Sequence, residues 1–417
     1  MISSGYNAAH CSSPSLVCSR ARWRQGDHGL MPTREERNLF NAAAQELGAA
    51  AARGDIATVD AILAARPRLA LHTRPFTDAC KYGQPTTLEA LLRAGGRGNE
   101  AFPAGPTERT WRGLHAAVRT PGAVRWSPGH VQVVELLLDQ GGDVNDGADR
   151  GFITPLGWAA QQGNHEAAEL LLARGARVGF HEALMLGHAE QVRETLERQP
   201  ELATEVFPGL AANAGHPVTA LHFAAISRLG TDHPVTALRL GETAELLVAA
   251  GTPPVATMHQ GKEVPGPIAA AGEADNATVL RVLLAHGAVA AEALPGALMN
   301  TALKVLEVLA GYPIDVNAGG DPKLGNRLLH EMVRWGRLRS ALWLLDHGAN
   351  ATVPDAYGWA PLHYAARRGG PLDLVIALLD HGADVDAHNQ AGHTALNIAR
   401  RHRRYQTVAL LEEHAAR

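Results

Sequence analysis

Asp355-Ala-Tyr-Gly-Trp-Ala-Pro-Leu-His-Tyr-Ala-Ala366 is the stretch on which the reading of this chain turns. Pro361 fits the first position of a helix, where a missing N–H is no loss. The Ala pair at 365–366 keeps that helix thin, and Arg367-Arg368-Gly369 follows it. The phrase Leu-Leu-Asp-His-Gly-Ala stands before it at 344–349 and after it at 378–383, an offset of 34. Glu-Leu-Leu-Leu-Asp-Gln-Gly at 135–141 and Glu-Leu-Leu-Leu-Ala-Arg-Gly at 169–175 repeat that offset, and Leu-Leu-Ala-His-Gly-Ala recurs at 283–288. Leu329-His330, Leu362-His363 and Leu396-Asn397 step by 33 and 34, joined by Leu114-His115 and Leu221-His222.

Recurrence at this period signals a stack of small supersecondary units, each too thin to bury its apolar face alone. Pro155 matches Pro361, and Thr154, Thr219 and Thr394 fall where a hydroxyl caps a first helical turn. Gly141, Gly175, Gly251, Gly287, Gly348 and Gly382 each follow an apolar helical run, where glycine ends a helix in the left-handed conformation. Ala pairs at 116–117, 159–160, 224–225 and 365–366 repeat the thin helix.

These residues resemble the ankyrin repeat, a unit of roughly 33 residues with a turn, two antiparallel helices and a Thr-Pro-Leu-His-x-Ala signature. The resemblance covers residues 37–417 and implies an all-α solenoid of helix-turn-helix units with short turn hairpins. It accounts for about eleven copies, several degenerate. Residues 39–70 and the run Gly187, Val192, Leu196, Pro200, Leu202 share one variant pattern. The copies near 74–77, 266–288 and 293–317 lack parts of the signature. The last, 392–414, is rich in Arg and Glu, as a solvent-facing cap should be.

Two intervals exceed the period. Leu114 to Leu156 is 42 residues and Leu221 to Ile268 is 47, which places insertions near 119–129 and 228–241, between the two helices of each copy. The second contains an echo: His-Pro-Val-Thr-Ala-Leu occurs at 216–221 and again at 233–238. Residues 97–110 read as a long turn. Residues 1–36 carry no period and read as a disordered tail, with Met31 an alternative start to Met1.

The composition agrees. The 417 residues are 46% hydrophobic but only 5% aromatic, with 43 Gly, so small side chains dominate as close helix stacking requires. Net charge is −4, too small to steer the whole chain to nucleic acid or an anionic membrane. Three cysteines (Cys11, Cys18, Cys80) build no disulfide framework, which favours a reducing, cytoplasmic setting. No apolar run reaches the length of a membrane span, and no secretory signal is visible. No Cys-x-x-Cys, zinc helix motif, phosphate loop or Gly-x-Ser-x-Gly is present, so the sequence calls for no metal, no cofactor and no enzyme. Most of the 21 histidines are explained by the repeat. By the resemblance, His115, His222, His330 and His363 hydrogen-bond between neighbouring turns. Cys80 aligns with Ala366 and reads as a small buried side chain.

Ankyrin partners contact the turn tips and the exposed face of the inner helices. Carried onto this chain, that face comprises Tyr357 and Trp359 at a turn, then Arg367 and Arg368. Arg334 and Trp335 align one repeat earlier and Arg400 and Arg401 one repeat later. Arg with aromatics is the composition enriched at binding hot spots. Residues 323–417 carry 12 Lys+Arg against 9 Asp+Glu, a balance of +3, and the remainder carries 26 against 33, a balance of −7. The expectation is a monomeric protein-binding scaffold whose C-terminal stripe meets an acidic partner. A solvated face with capping charges is the plainer alternative for that stripe. Other readings are an exported host-directed effector, and an enzyme using the insertion loops, which lack a constellation of acid, base and nucleophile.

Overall fold

Side-chain caps fix the starts of several helices. The computed structural model describes residues 34–96, 102–103, 110–111, 113–119, 126–147, 153–207, 217–259, 262–320, 323–369 and 371–415. Thr154 Oγ1 accepts the Gly157 N–H at 3.2 Å, and Pro155 is the first helical residue behind it. The second helix of the same unit is capped by Asn164, whose Oδ1 accepts the Ala167 N–H at 3.0 Å. Such a cap is worth about 1 kcal/mol. Most second helices are followed by a glycine with positive φ, from +83° at Gly382 to +96° at Gly251, a conformation that would strain any residue with a Cβ.

The described residues form eleven helix pairs. The first three are Arg34–Arg53 with Ile56–Ala65, Thr73–Lys81 with Pro85–Arg93, and Gly113–Val118 with Pro128–Asp139. Pairs four to six are Pro155–Gln162 with His165–Ala173, Phe180–Leu186 with Ala189–Arg198, and Ala220–Ala225 with Pro234–Ala249. Pairs seven and eight are Pro267–Ala274 with Ala277–Ala285 and Ala290–Asn300 with Leu303–Leu309. Pairs nine to eleven are Leu328–Trp335 with Leu338–Asp346, Pro361–Arg368 with Leu372–Asp380, and Ala395–Arg401 with Tyr405–Ala415.

Every first helix packs on the first helix of the next pair, so one helical row runs through the whole array. Its core is small. Ala159, Ala160, Ala224, Ala225 and Ala366 are fully buried between neighbours. At Gly272 a Cβ would lie 2.4 Å from the Ala293 carbonyl oxygen, so pairs seven and eight touch backbone to backbone. Larger side chains fill the space between first and second helices, with Leu137, Leu171, Leu247, Leu283, Leu344 and Leu378 buried. The architecture is an all-α ankyrin-type solenoid, as the repeat phrases require.

Four readings of irregular segments need correction or placement. The stretch 97–110 contains a hairpin: Phe102–Pro103 pairs antiparallel with Thr110–Trp111. A second hairpin joins Thr257–His259 to Lys262–Val264. The insertion read at 228–241 is only partly a loop. From Pro234 onward it is helix, and it lengthens the second helix of pair six to 16 residues. Pro234 occupies the first helical position behind His233, and the following Val-Thr-Ala-Leu-Arg-Leu holds no glycine or proline to break the helix. Of the insertion read at 119–129, residues 120–125 lie outside the described residues, and Pro128 already begins a helix. The tail read at 1–36 lies outside them up to residue 33, and the first helix starts at Arg34.

Pairs one and five share the variant exit predicted for them. Arg66 (φ −143°, ψ 72°) and Gln199 (φ −139°, ψ 70°) end their helices in the same backbone state, each just before a proline. A residue preceding proline is driven out of the α region, so the helix stops without glycine. Short 3-10 turns Pro67–Leu71 and Pro200–Ala203 follow.

Candidate functional site

Asp355 organises the turn that presents the aromatic residues. It is buried, and its Oδ1 accepts the N–H groups of Tyr357 at 2.8 Å and Trp359 at 2.9 Å. Its Oδ2 accepts the Tyr364 hydroxyl at 2.5 Å. Burial, then that bond to a carboxylate, push the Tyr364 hydroxyl well above the usual phenol range, so it stays a donor. The Asp355 N–H donates to the Trp359 carbonyl at 3.0 Å, closing the turn. Asn389 repeats the device 34 residues on, accepting the N–H groups of Ala391 and His393, both at 3.0 Å.

The signature histidines tie these turns together. His330 Nδ1 accepts the Arg327 N–H at 3.0 Å, and its Nε2 lies 3.1 Å from the Trp359 carbonyl. His363 does the same with the Ala360 N–H at 3.1 Å and the Ala387 carbonyl at 3.1 Å. Burial lowers both rings from the ordinary histidine value, and each Nδ1 accepts a backbone N–H, which leaves the Nε2 proton facing the carbonyl. Both therefore serve the structure. Turn tips are linked as well: the Ala356 N–H donates to the Leu324 carbonyl at 2.8 Å, and Gln390 Nε2 donates to the Ala356 carbonyl at 2.7 Å.

On this frame the expected stripe separates into three groups. Arg334, Arg367 and Arg401 are exposed at equivalent places near the C-terminal ends of successive first helices. Arg334 lies 5.6 Å from the Trp335 ring and Arg367 lies 5.7 Å from the Trp359 ring, both within cation–π range. Trp335 and Tyr357 are more than half exposed, whereas Trp359 is half-buried against Tyr364, with ring centroids 5.1 Å apart. Arg368 turns back to the preceding pair, where Nη1 donates to the Arg334 carbonyl at 3.0 Å. Arg400 leaves the row and pairs with Glu412 at 2.5 Å.

The alignment of Arg400 with Arg367 is thereby corrected by one residue. The helix-ending left-handed residues are Gly336 (φ +67°), Gly369 (φ +63°) and Arg403 (φ +56°). Counting back from each, Arg401 matches Arg367 and Arg334, and His402 matches Arg368 and Trp335. Arg400 falls at the place of Ala366, whose side chain is buried. The missing glycine hid this register, although the 34-residue step from Leu362 to Leu396 carried it.

Between the turns and first helices of pairs ten and eleven lies an open groove of about 660 Å³. It is lined by Trp359, Arg367, His393, Asn397, Ile398, Arg401 and His402. Three of the predicted residues meet there. The other four, His393, Asn397, Ile398 and His402, carry neither the arginine nor the aromatic signal and belong to a repeat lacking the Leu-His pair. Neither Arg367 nor Arg401 has a carboxylate within ion-pair distance among the described residues. Elsewhere Cys80 is fully buried, and burial pushes its thiol far above the ordinary range, so it is no nucleophile. Among the described residues, His, Cys, Asp and Glu do not gather in threes as metal ligands. No described helix is long and apolar enough to cross a membrane.

A family model for ankyrin repeats matches residues 76–182, 268–389 and 329–417, together more than half of the chain. The chain belongs to the ankyrin repeat family. A search of curated proteins finds no significant match. Ankyrin repeats generally mediate protein–protein interaction and are typically non-enzymatic.

Proposed function

We propose that this ankyrin protein is a monomeric, non-catalytic binding scaffold of the cytoplasm, and that Arg334, Arg367 and Arg401 with Trp335, Tyr357 and Trp359 receive an acidic segment of a partner protein. The observation that carries this reading is the row of three guanidinium groups on consecutive pairs, exposed and, among the described residues, without a carboxylate within ion-pair distance, beside aromatic rings. Elsewhere on the surface Arg174 pairs with Asp139 at 2.5 Å and Arg400 with Glu412, which takes both out of the unpaired set. Guanidinium groups match carboxylates two bonds at a time, and aromatics add area at little entropic cost. The three-cysteine composition supports a reducing compartment.

A photo-crosslinking side chain at position 357, used in extract of the source cell, should capture one dominant partner. The variant Arg334→Glu, Arg367→Glu, Arg401→Glu should lose it while keeping its helical content. Unchanged capture by the folded triple variant sinks the placement.

A further inference from the structure

The groove between pairs ten and eleven differs in kind from the rest of the row. Along Arg334 and Trp335 the surface is exposed charge beside an exposed ring. At Arg367 and Arg401 two guanidinium groups from consecutive first helices line one space, together with the half-buried Trp359 and the buried Ile398. No acidic side chain lines that space, and the nearest predicted arginine with an acid, Arg400, does not line it. A concave volume of about 660 Å³ lies within the range of sites that take one small-molecule-sized group.

Resting on the scaffold reading above, we infer that this groove is a seat for one carboxylate side chain of the partner, flanked by an apolar residue. The carboxylate lies between Arg367 and Arg401, whose fork-shaped donors match it. The Asn397 amide supplies a further donor, and Trp359 and Ile398 receive the flanking apolar side chain. Trp359 is prepared for this, because Asp355 holds its N–H and His330 holds its carbonyl. A long polyanion fits less well. The remainder of the chain carries −7 against +3 for residues 323–417, so nucleic acid extended along the array meets repulsion. A short peptide with one acid in an apolar setting meets only the groove.

The test uses the full chain and a fluorescein-labelled, capped nonapeptide centred on Leu-Glu-Leu, with Gln and phosphoserine versions of the central residue, read by fluorescence anisotropy at low salt. The Glu peptide should bind at least 10-fold more tightly than the Gln peptide. Arg367→Gln with Arg401→Gln should abolish that preference, Arg367→Lys with Arg401→Lys should retain part of it, and Arg400→Gln should change it less than 2-fold. Equal binding of the Glu and Gln peptides overturns the proposal. So does an Arg400→Gln loss as large as that of the Arg367 and Arg401 pair. Tighter binding of the phosphoserine peptide, or displacement of the Glu peptide by inorganic phosphate at equal concentration, makes the groove a phosphate seat and overturns it too. Absent peptide discrimination with the crosslinked partner still lost from the triple variant removes the groove alone. Peptide discrimination without any captured partner removes the scaffold reading alone.

Discussion

The six residues His-Pro-Val-Thr-Ala-Leu occur twice within pair six, and the two copies have opposite fates. In the first, Val218 exchanges backbone hydrogen bonds with Phe207 at 2.8 and 2.9 Å, and Thr219 precedes the first helix. Val218 and Leu221 are buried at 1% and 0% exposure. In the second, Pro234 opens the long second helix, and Val235 and Leu238 are 63% and 66% exposed. Composition and local propensity are identical, so neither sets burial. The phase of the host helix does. Leu240, Ala244 and Leu247 face the core at spacings of four and three. Extending that stripe backward reaches Thr236 and Ala237, not Val235 or Leu238. The same words mean core in one register and surface in another.

The comparison breaks most readily at its leucines. Leu221→Ala should destabilise pair six by about 2–5 kcal/mol, the range for a buried leucine, while Leu238→Ala should stay within about 0.5 kcal/mol. Amide hydrogen exchange of the helices in pair six reads both. Comparable losses would show that the second copy is also packed.

The residue after each copy gives the next test. His222 is buried, its Nδ1 accepts the Thr219 N–H at 3.0 Å, and burial lowers it to about 4. The counterpart after the second copy is the exposed Arg239. A neutral native histidine with a lowered value leaves the unfolded chain to bind the proton first. Its stability contribution is full above about pH 6.5 and falls as pH drops toward 4. His222→Asn borrows the solution of pair eleven, where Asn397 Oδ1 accepts the Thr394 N–H at 3.1 Å. That variant should flatten the pH dependence of pair-six protection in this window by up to about 1.4 kcal/mol per pH unit. An unaltered slope would place the titration elsewhere, with His181, also lowered by burial to about 4 and stacked on Phe223 at 4.2 Å, the next group to replace.

The smallest contrast is between the threonines. Thr219→Ala removes the buried hydroxyl that lies 3.1 Å from His222 Nδ1 and should cost about 1 kcal/mol. Thr236→Ala lies inside a helix and should gain up to about 0.5 kcal/mol through propensity. Urea titrations followed by helical circular dichroism should therefore shift in opposite directions. Shifts of one sign would contradict the structural distinction.

Most of the fold was legible because it is written in recurring chemistry: Gly348 and Gly382 after leucine runs, Pro155 and Pro361 at helix starts, His330 and His363 between turns. What escaped lay where recurrence lapses. The surplus in pair six could be counted from Leu221 to Ile268, but a count does not say whether added residues coil or spiral, and Pro234 alone marked the helix start. At pair eleven a left-handed Arg403 stands where Gly336 and Gly369 stand before it, so the register slipped by one and Arg400 was given the place of Arg401. Trp359 and Arg367 were readable from the best-formed repeat. The groove was not, since its other wall comes from a repeat with Asn397 in place of the histidine.

The continuous row of first helices governs how a chain like this can change. Second helices range from seven residues at Leu303–Leu309 to 16 at Pro234–Ala249, yet every first helix still meets its neighbour. Added length is shed to one side of the array. An insertion such as the one in pair six can therefore enter without resetting the spacing of the opposite side. Positions on that side stay in step while the far side takes up the added length.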